Sequence, residues 1–192
     1  MHNPVIILLA AGFSRRYRQA TGRHKLLETV DGTGLTVFQH SLGNALKSGL
    51  PVVVVVRPES LELQAFCQQA NIPFVSVNSQ CQGDSICAGV EATREANGWL
   101  ITLADLPGIM LPVYRAIASA VQEGRCARPF YLGQPGHPVG FPAPVIEDLL
   151  ALQGKEGARE LLRACPPQRT DCTEPGCVRD IDVPADLKAW RR

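Results

Sequence analysis

The sequence contains no apolar run that approaches the roughly 20 residues needed to span a bilayer, and its formal net charge is only +1. The first absence argues against a membrane protein, and the second argues against a general attraction to nucleic acid. Residues 1–4 also lack the basic leader of a secretory signal. We therefore expect a cytoplasmic protein with neither a membrane nor a nucleic acid as its partner.

Cysteine is present, but its distribution does not indicate a disulfide framework. The chain has 7 cysteines, an odd number spread along its length, which favours reduced thiols. Cys165, Cys172 and Cys177 lie close together but lack CxxC spacing and a nearby histidine. This spacing favours small core or surface thiols over a zinc site.

Internal repeats, low-complexity tracts and linkers are also missing. With 192 residues, of which 45% are hydrophobic, the chain can bury the core of one ordinary domain. We predict a single domain over residues 1–192.

Near-continuous apolar runs alternate with helical patterns along the chain. Runs without polar alternation indicate strands that are buried on both faces, as in parallel sheets covered by helices. The alternation predicts a three-layer α/β/α domain, Rossmann-like, with a doubly wound and mostly parallel sheet whose ligands bind beyond the carboxyl ends of the strands. The predicted strands cover 5–10, 51–56, 73–77, 99–104, 129–132, 137–141 and 178–181; the predicted helices cover 36–48, 60–70, 84–97 and 111–123, and the Gly/Pro-rich stretch 133–144 is expected to form a loop and hairpin region over the site.

The first predicted strand ends in Ala10, Ala11 and Gly12, and five basic residues follow closely. Small side chains let a ligand approach the backbone, and exposed amide N–H groups in such a turn can bind phosphate oxygens. Arg16 would add a planar bidentate contact and Lys25 a compact charge. The segment is neither a P-loop nor a dinucleotide fingerprint, so ordinary turn chemistry beside a solvated basic surface is the alternative.

A carboxylate follows the strand predicted at 99–104. Asp105 would lie at the carboxyl end of this strand, where Pro107 stops further pairing. Carboxylate oxygens suit Mg²⁺, the cation that a triphosphate requires. Asp105 could equally be the N-cap of the following helix, but together with the first loop we favour a metal ligand.

Residues 9–17 and 22–27 resemble the signature LAAGxSxR[MF]GxxKLL of the MobA-like nucleotidyltransferases, and within them most closely the molybdenum cofactor (molybdopterin) cytidylyltransferases. Residues 18–21 are an insertion relative to this signature and could enlarge the phosphate loop or reposition Lys25. The resemblance implies a fold like that of nucleotide-diphospho-sugar transferases. It also implies nucleotide binding by Leu9, Ala10, Ala11, Gly12, Arg16 and Lys25, and catalytic roles for Arg16, Lys25 and Asp105.

Two acidic stretches also resemble the family. Asp105 lies in a stretch similar to its metal-binding "ADxP", and residues 180–187 are similar to the "DIDTPEDL" ending of the cytidylyltransferase branch. The resemblance implies that Asp182 is a second metal ligand beside Asp105. An N-cap of the last helix is the alternative for Asp182, Asp186 is expected to be an exposed residue of that helix, and Asp180 has no assigned role.

Residues 82–86 resemble the glycine and serine stretch that lies near the base and ribose in the family. This resemblance implies nucleotide contacts by Gly83 and Ser85. Helix capping by Asp84 or Ser85 is an equal alternative.

Two further stretches resemble parts of the family near the acceptor. Residues 136–141 resemble its "GHPV" segment, which implies an acceptor contact by His137; a structural histidine is the alternative. Residues 157–162 resemble its "GxRxLL" helix start, where packing is expected and Arg159 could meet the phosphate of the acceptor.

The resemblance implies nucleotidyl transfer with Mg²⁺ as cofactor. The LAAG motif, in place of the LAGG of the guanylyl branch, points to CTP among the nucleoside triphosphates (NTPs). The implied acceptor is molybdopterin, and the implied partner is the apoenzyme of a molybdenum hydroxylase. Two alternatives stay open, namely a transferase acting on a sugar or polyol phosphate and a noncatalytic carrier or maturation protein for the molybdenum cofactor.

Overall fold

The computed structural model describes residues 3–30, 34–154 and 157–190. Within them, strands and helices alternate along most of the chain. The strands are β1 Val5–Leu9, β2 Val52–Val56, β3 Phe74–Ser76, β4 Gly98–Leu103, β5 Ala127–Tyr131, β6 Gln134–Pro135, β7 Val139–Pro142 and β8 Gln168–Asp171. The α-helices are α1 Arg15–Thr21, α2 Val37–Leu46, α3 Leu61–Gln69, α4 Gln82–Glu91, α5 Leu111–Gln122, α6 Ile146–Leu150, α7 Arg159–Ala164 and α8 Pro184–Trp190.

The strands form one sheet in the order β3-β2-β1-β4-β7-β5-β6, with β8 beside β5. β1 is parallel to β2 and β4, while β7 runs antiparallel between β4 and β5. The chain builds outward from β1 to β3 and then returns to the other side of β1 with β4. Such a reversal of strand order opens a crevice at the carboxyl ends of the strands. The predicted α/β fold with a mostly parallel sheet is confirmed.

Alternate residues of β1 face two separate hydrophobic cores. Ile6 and Leu8 pack in the core that contains residues of α2, α3, α5 and α8. Ile7 packs in the other core, with Ile86 and Val90 of α4. Because every residue of β1 is buried, the strand has no polar alternation in its sequence.

Parts of the predicted secondary structure are wrong. Residues 178–181 do not form a strand; Ile181 is buried, and its amide donates to the carbonyl of Asp105 at 3.0 Å. Its apolar character therefore serves packing. β8 was missed because its four residues, Gln-Arg-Thr-Asp, are polar and mostly exposed. The helix predicted over 84–97 is shorter than expected, since α4 ends at Glu91.

The insertion at residues 18–21 completes α1. The helix ends at Thr21, and its C-cap Gly22 has a φ of 73°, a left-handed conformation that glycine adopts without steric cost. The chain then returns to the first loop, because the amide of Lys25 donates to Ser14 Oγ at 3.0 Å. The four inserted residues therefore lie in a helix and not in a loop.

No helix among the described residues is long and apolar enough to cross a membrane.

Gly140 of β7 lies directly under α5. A Cβ at this position would lie 2.6 Å from Val121 and 2.7 Å from Ile117, which is closer than side chains approach. We expect Gly140→Ala to destabilise the protein by about 1–3 kcal/mol, measured by urea unfolding. Gly43→Ala in α2 is the control, since apart from the adjacent residues and backbone of its own helix no described atom lies within 4 Å of its added Cβ, and it should be neutral or stabilising by about 1 kcal/mol. Equal stabilities of the two variants would contradict this account of the packing.

Candidate functional site

A cavity of about 300 Å³ opens at the carboxyl ends of β1 and β4, where the strand order reverses. The register pairs Leu9 with Leu103, so the residues that follow the two strands leave the sheet at the same edge. The lining comes from four segments: residues 9–13, residues 24–26, residues 79–82 with Ser85, and residues 103 and 105.

The first loop carries main-chain donors at the edge of this cavity. The amide of Ala10 is held by the sheet, where it donates to the carbonyl of Val55 at 2.8 Å. Within the described part of the chain, the amides of Ala11, Gly12 and Phe13 have no acceptor. Successive free amides of this kind bind phosphate oxygens.

Three segments that are far apart in sequence meet at the ammonium group of Lys25. Its Nζ donates to Asp105 Oδ2 at 2.6 Å and to Asp182 Oδ1 at 2.7 Å. The other oxygen of Asp182 accepts from Arg16 Nη1 at 2.5 Å. Arg16 itself is 74% exposed and does not line this cavity; with Asp182 it lines an adjoining pocket that also contains Lys25. Lys25 therefore contacts Asp105 with the inserted residues 18–21 in place.

These contacts shift two pKa values in opposite directions. Burial alone would lower the pKa of Lys25 and raise the pKa of Asp182. The neighbouring opposite charges outweigh burial, so that the pKa of Lys25 is raised and the pKa of Asp182 is lowered. Both groups are consequently charged at neutral pH.

Three carboxylates cluster beside Lys25. One oxygen from each of Asp105, Asp180 and Asp182 lies within 4.8 Å of the other two. Burial, together with the charges of Asp105 and Asp182, raises the pKa of Asp180. Asp105 Oδ1 is buried and has no hydrogen-bond partner among the described residues, an arrangement that is costly unless something binds the oxygen. The cluster fits a hard divalent cation, which prefers carboxylate oxygens.

Helix capping does not explain Asp105 or Asp182. The helix that follows Asp105, α5, begins well beyond it, and both oxygens of Asp182 accept from basic side chains. Instead, Asp186 Oδ2 accepts from the amides of Asp182 and Val183 at 2.9 Å and 2.8 Å. Asp186, predicted as an exposed residue, is partly buried and fixes the segment that carries Asp182.

His24 is a residue of the cavity that the sequence reasoning missed. Its Nδ1 accepts from the amide of Leu26 at 3.2 Å, and its Nε2 lies 3.3 Å from the carbonyl oxygen of Gly12. Because a carbonyl can only accept, Nε2 carries the proton and the ring is neutral. Burial lowers the pKa of His24, in agreement with this state. The one available signal was its place beside Lys25.

Arg57 was missed as well. It follows β2, and its buried guanidinium donates from Nη1 to the carbonyl of Ser79 at 2.6 Å and from Nη2 to Asn78 Oδ1 at 2.9 Å. Its carbon Cζ lies 4.0 Å from the centroid of the Phe13 ring. The available signal was a charged residue directly after an all-valine strand.

The first turn of α4 reaches the cavity. Asp84 Oδ2 accepts from the amides of Gln80 and Cys81 at 2.8 Å and 3.3 Å, so Asp84 caps this helix. Ser85 lines the cavity, whereas Gly83 is buried in the helix and is not part of the lining.

A second cavity of about 540 Å³ lies beside the first, and Gln82 lines both. His137 and Arg159 line this second cavity, together with Arg128. His137 Nδ1 lies 3.4 Å from the carbonyl oxygen of Ile101, and burial lowers the pKa of His137 to about 4. The ring is therefore neutral at pH 7, with a proton on Nδ1 and, among the residues that the structure describes, no hydrogen-bond donor to Nε2.

Comparisons with known proteins give one family match, one similar curated protein and several solved structures of the same fold. A sequence profile of the MobA-like NTP transferase domain matches residues 6–171. Purine catabolism protein PucB of Bacillus subtilis (strain 168) is 29% identical over 209 residues, covering 100% of this chain and 98% of that protein. Rv0371c from Mycobacterium tuberculosis H37Rv, in its complex with manganese, superposes with a TM-score of 0.78 at 20% identity over 98% of this chain and 97% of that one. Molybdopterin-guanine dinucleotide biosynthesis protein A from Archaeoglobus fulgidus superposes with a TM-score of 0.73 at 16% identity over 97% and 96% of the two chains.

The Lys25 ammonium group and a divalent cation would compete for the same carboxylates. We expect Lys25→Met to lower the stability by about 1–3 kcal/mol, less than for a fully buried pair, because the Asp182 side chain is 33% exposed. Mn²⁺ should then raise the melting temperature of this variant by several degrees more than that of the wild type. Scanning fluorimetry with and without Mn²⁺ measures both effects, and Lys188→Met on the exposed side of α8 is the matched control. Equal Mn²⁺ shifts in Lys25→Met and the wild type would contradict a shared site.

Proposed function

Because the chain belongs to the MobA-like NTP transferase family, we propose that its first cavity binds a nucleoside triphosphate with a divalent cation and transfers the nucleotidyl group to a phosphate acceptor. One observation supports this proposal above all others. Free amides of the first loop, the Lys25 ammonium and an unpaired carboxylate oxygen of Asp105 meet in one cavity. Together they offer donors and positive charge to phosphates and oxygen ligands to a metal.

The proposed roles follow from these positions. The amides of residues 11–13 bind phosphate oxygens, and Arg16 and Lys25 contribute positive charge. Asp105 and Asp182 would hold Mg²⁺ or a similar divalent cation, and Asp180 lies close enough to join them. Such an ion would neutralise charge on the phosphates. Rv0371c, a protein of the same fold, has been solved as a complex with manganese, which is compatible with a divalent cation in a chain of this fold.

The proposed reaction needs positioning and charge more than covalent chemistry. A terminal phosphate oxygen of the acceptor attacks the α-phosphorus of the NTP. The bond between the α-phosphorus and the oxygen that bridges the α- and β-phosphates breaks, and pyrophosphate leaves. The attacking oxygen is already ionised, so no general base is required. Arg16 and Lys25 stabilise the charge that develops on the phosphates, and the first loop holds them in line.

For the nucleotide we propose CTP and for the acceptor molybdopterin. The LAAG motif supports CTP. The second cavity supports a phosphate-bearing acceptor, because Arg128, Arg159 and Arg163 line it. The free Nε2 of His137 would accept a hydrogen bond from an N–H group, a donor that pterin rings carry.

The names of two similar proteins support the same acceptor and partner. Molybdopterin-guanine dinucleotide biosynthesis protein A shares the fold, which is compatible with a molybdopterin-type acceptor. PucB is named for purine catabolism, which is compatible with a hydroxylase of the xanthine dehydrogenase type as the recipient of the product. We also propose that the whole chain acts as one domain in the cytoplasm.

Two assays test the proposal. In a thermal-shift panel of nucleoside triphosphates with Mg²⁺, CTP should raise the melting temperature most. Pyrophosphate should then be released from CTP in the presence of molybdenum cofactor. Release with a sugar or polyol phosphate instead would contradict the pterin acceptor. Binding of the cofactor without any release would indicate a carrier and contradict the enzyme.

Asp105→Asn keeps the shape of the side chain and removes its charge. We expect kcat/KM for pyrophosphate release to fall at least about 100-fold, because a metal ligand is lost. Circular dichroism should show that the fold is unchanged. Asp148→Asn on the exposed face of α6 is the matched control and should retain the wild-type rate. A wild-type rate in Asp105→Asn would remove the metal role of this residue.

A further inference from the structure

Arg57 has no role in the chemistry described above, yet its burial is exceptional. It is 6% exposed and is the one charged residue in the buried class among residues 3–30, 34–154 and 157–190. A charged side chain is buried at a high free-energy cost unless its polar groups are paired. The contacts of Arg57 therefore indicate what its burial achieves.

The guanidinium group joins two separate loops. Its Nη1 and Nη2 donate to the carbonyl of Ser79 at 2.6 Å and to Asn78 Oδ1 at 2.9 Å, in the loop after β3. Its face packs on the ring of Phe13 in the first loop. Its Nε forms an ion pair with Glu59, whose side chain is 60% exposed.

Both loops joined by Arg57 line the first cavity, at Phe13 and at Ser79. The charged groups of that cavity, Lys25 and Asp105, are paired with each other, and they suit the phosphates and the metal. The lining contributed by Ser79 and Cys81 carries no formal charge, so under the proposed function it would face the nucleoside. Arg57 thus connects the first loop, which would bind the phosphates, to the loop after β3, which would face the nucleoside.

The loop after β3 is held from two sides. Asp84 accepts from the amides of Gln80 and Cys81, while Arg57 donates to the carbonyl of Ser79. Ser79 is only 3% exposed, so without Arg57 its carbonyl would lose this donor in a buried place. The loop would then move to find another donor.

We propose that Arg57 is a positioning residue that fixes the spacing between the first loop and the loop after β3, and so sets the affinity for the nucleoside triphosphate. This inference rests on the proposed function. The role needs a planar group that donates in two directions while its face stacks on an aromatic ring. Arginine meets this requirement and lysine does not.

The test uses Arg57→Met and Arg57→Lys in the full-length chain. Both variants should raise KM for the nucleotide about 10-fold, the loss expected for a charge-assisted hydrogen bond, while kcat changes less than about 3-fold. Isothermal titration of CTP with Mg²⁺ should show the same loss of affinity. A purely structural role would instead lower the active fraction, and hence kcat, at constant KM.

Glu59→Gln is the matched control. It removes the exposed ion pair of Arg57 but leaves its contacts with Ser79, Asn78 and Phe13, so KM should stay within about 2-fold of the wild type. Phe13→Leu removes the cation–π contact of the guanidinium and Asn78→Ala removes one of its hydrogen bonds, and each should raise KM about 3-fold. They keep the inference testable if Arg57→Met does not fold.

Three results would overturn the inference: unchanged nucleotide affinity in Arg57→Met, full affinity in Arg57→Lys, or a loss of kcat at constant KM. A wild-type chain that binds no nucleoside triphosphate would contradict the proposed function itself. Because the titration is run on the wild type first, the two failures are distinguishable.

Discussion

The carboxylates of Asp105 and Asp182 share one ammonium group, that of Lys25, and the rest of the site depends on this contact. The contact joins Lys25 to Asp105, 80 residues further along the chain, and to Asp182, 157 residues further along. It can form because β1 and β4 are adjacent and end at the same edge of the sheet. The C-terminal segment reaches this edge because the amide of Ile181 donates to the carbonyl of Asp105, and because Asp186 holds the backbone around Asp182.

Burial on both faces made the central strands predictable. The residues of β1 and β4 are apolar without alternation because helices cover both sides of the sheet, and this pattern alone indicates the fold. β8 pairs at the sheet edge through its backbone, and its polar side chains carry no such signal. Residues 178–181 resemble a strand in sequence because Ile181 is apolar and buried, but the segment pairs with none of the strands that the structure describes. The pattern of apolar side chains indicates which residues are buried. It indicates which residues pair in the sheet only where the paired strands are also buried.

The same limit applies to the candidate site. Asp105 and the small residues of the first loop could be identified because each follows a strand that the sequence predicts. A carboxylate or a run of small residues at the end of a buried strand has few roles other than ligand binding. His24 and Arg57 act on carbonyl oxygens of distant loops, and no residue pattern encodes which carbonyl lies nearby. Gly83 does not line the cavity, whereas Ser85, about half a turn later in α4, does, and the sequence does not show which face of the helix is turned toward the cavity.

The Lys25 contact also bears on how a metal and a triphosphate would enter. The two carboxylates of Asp105 and Asp182 are balanced by two cationic side chains, the Lys25 ammonium and the Arg16 guanidinium. A divalent cation that binds Asp105 and Asp182 would replace the Lys25 ammonium as their partner. The two carboxylates would therefore have a positive partner both before and after the metal binds. The released ammonium is then free for the phosphates, beside Arg16 and the amides of the first loop. The carboxylates that would hold the metal therefore also keep the Lys25 ammonium in the site until the triphosphate binds.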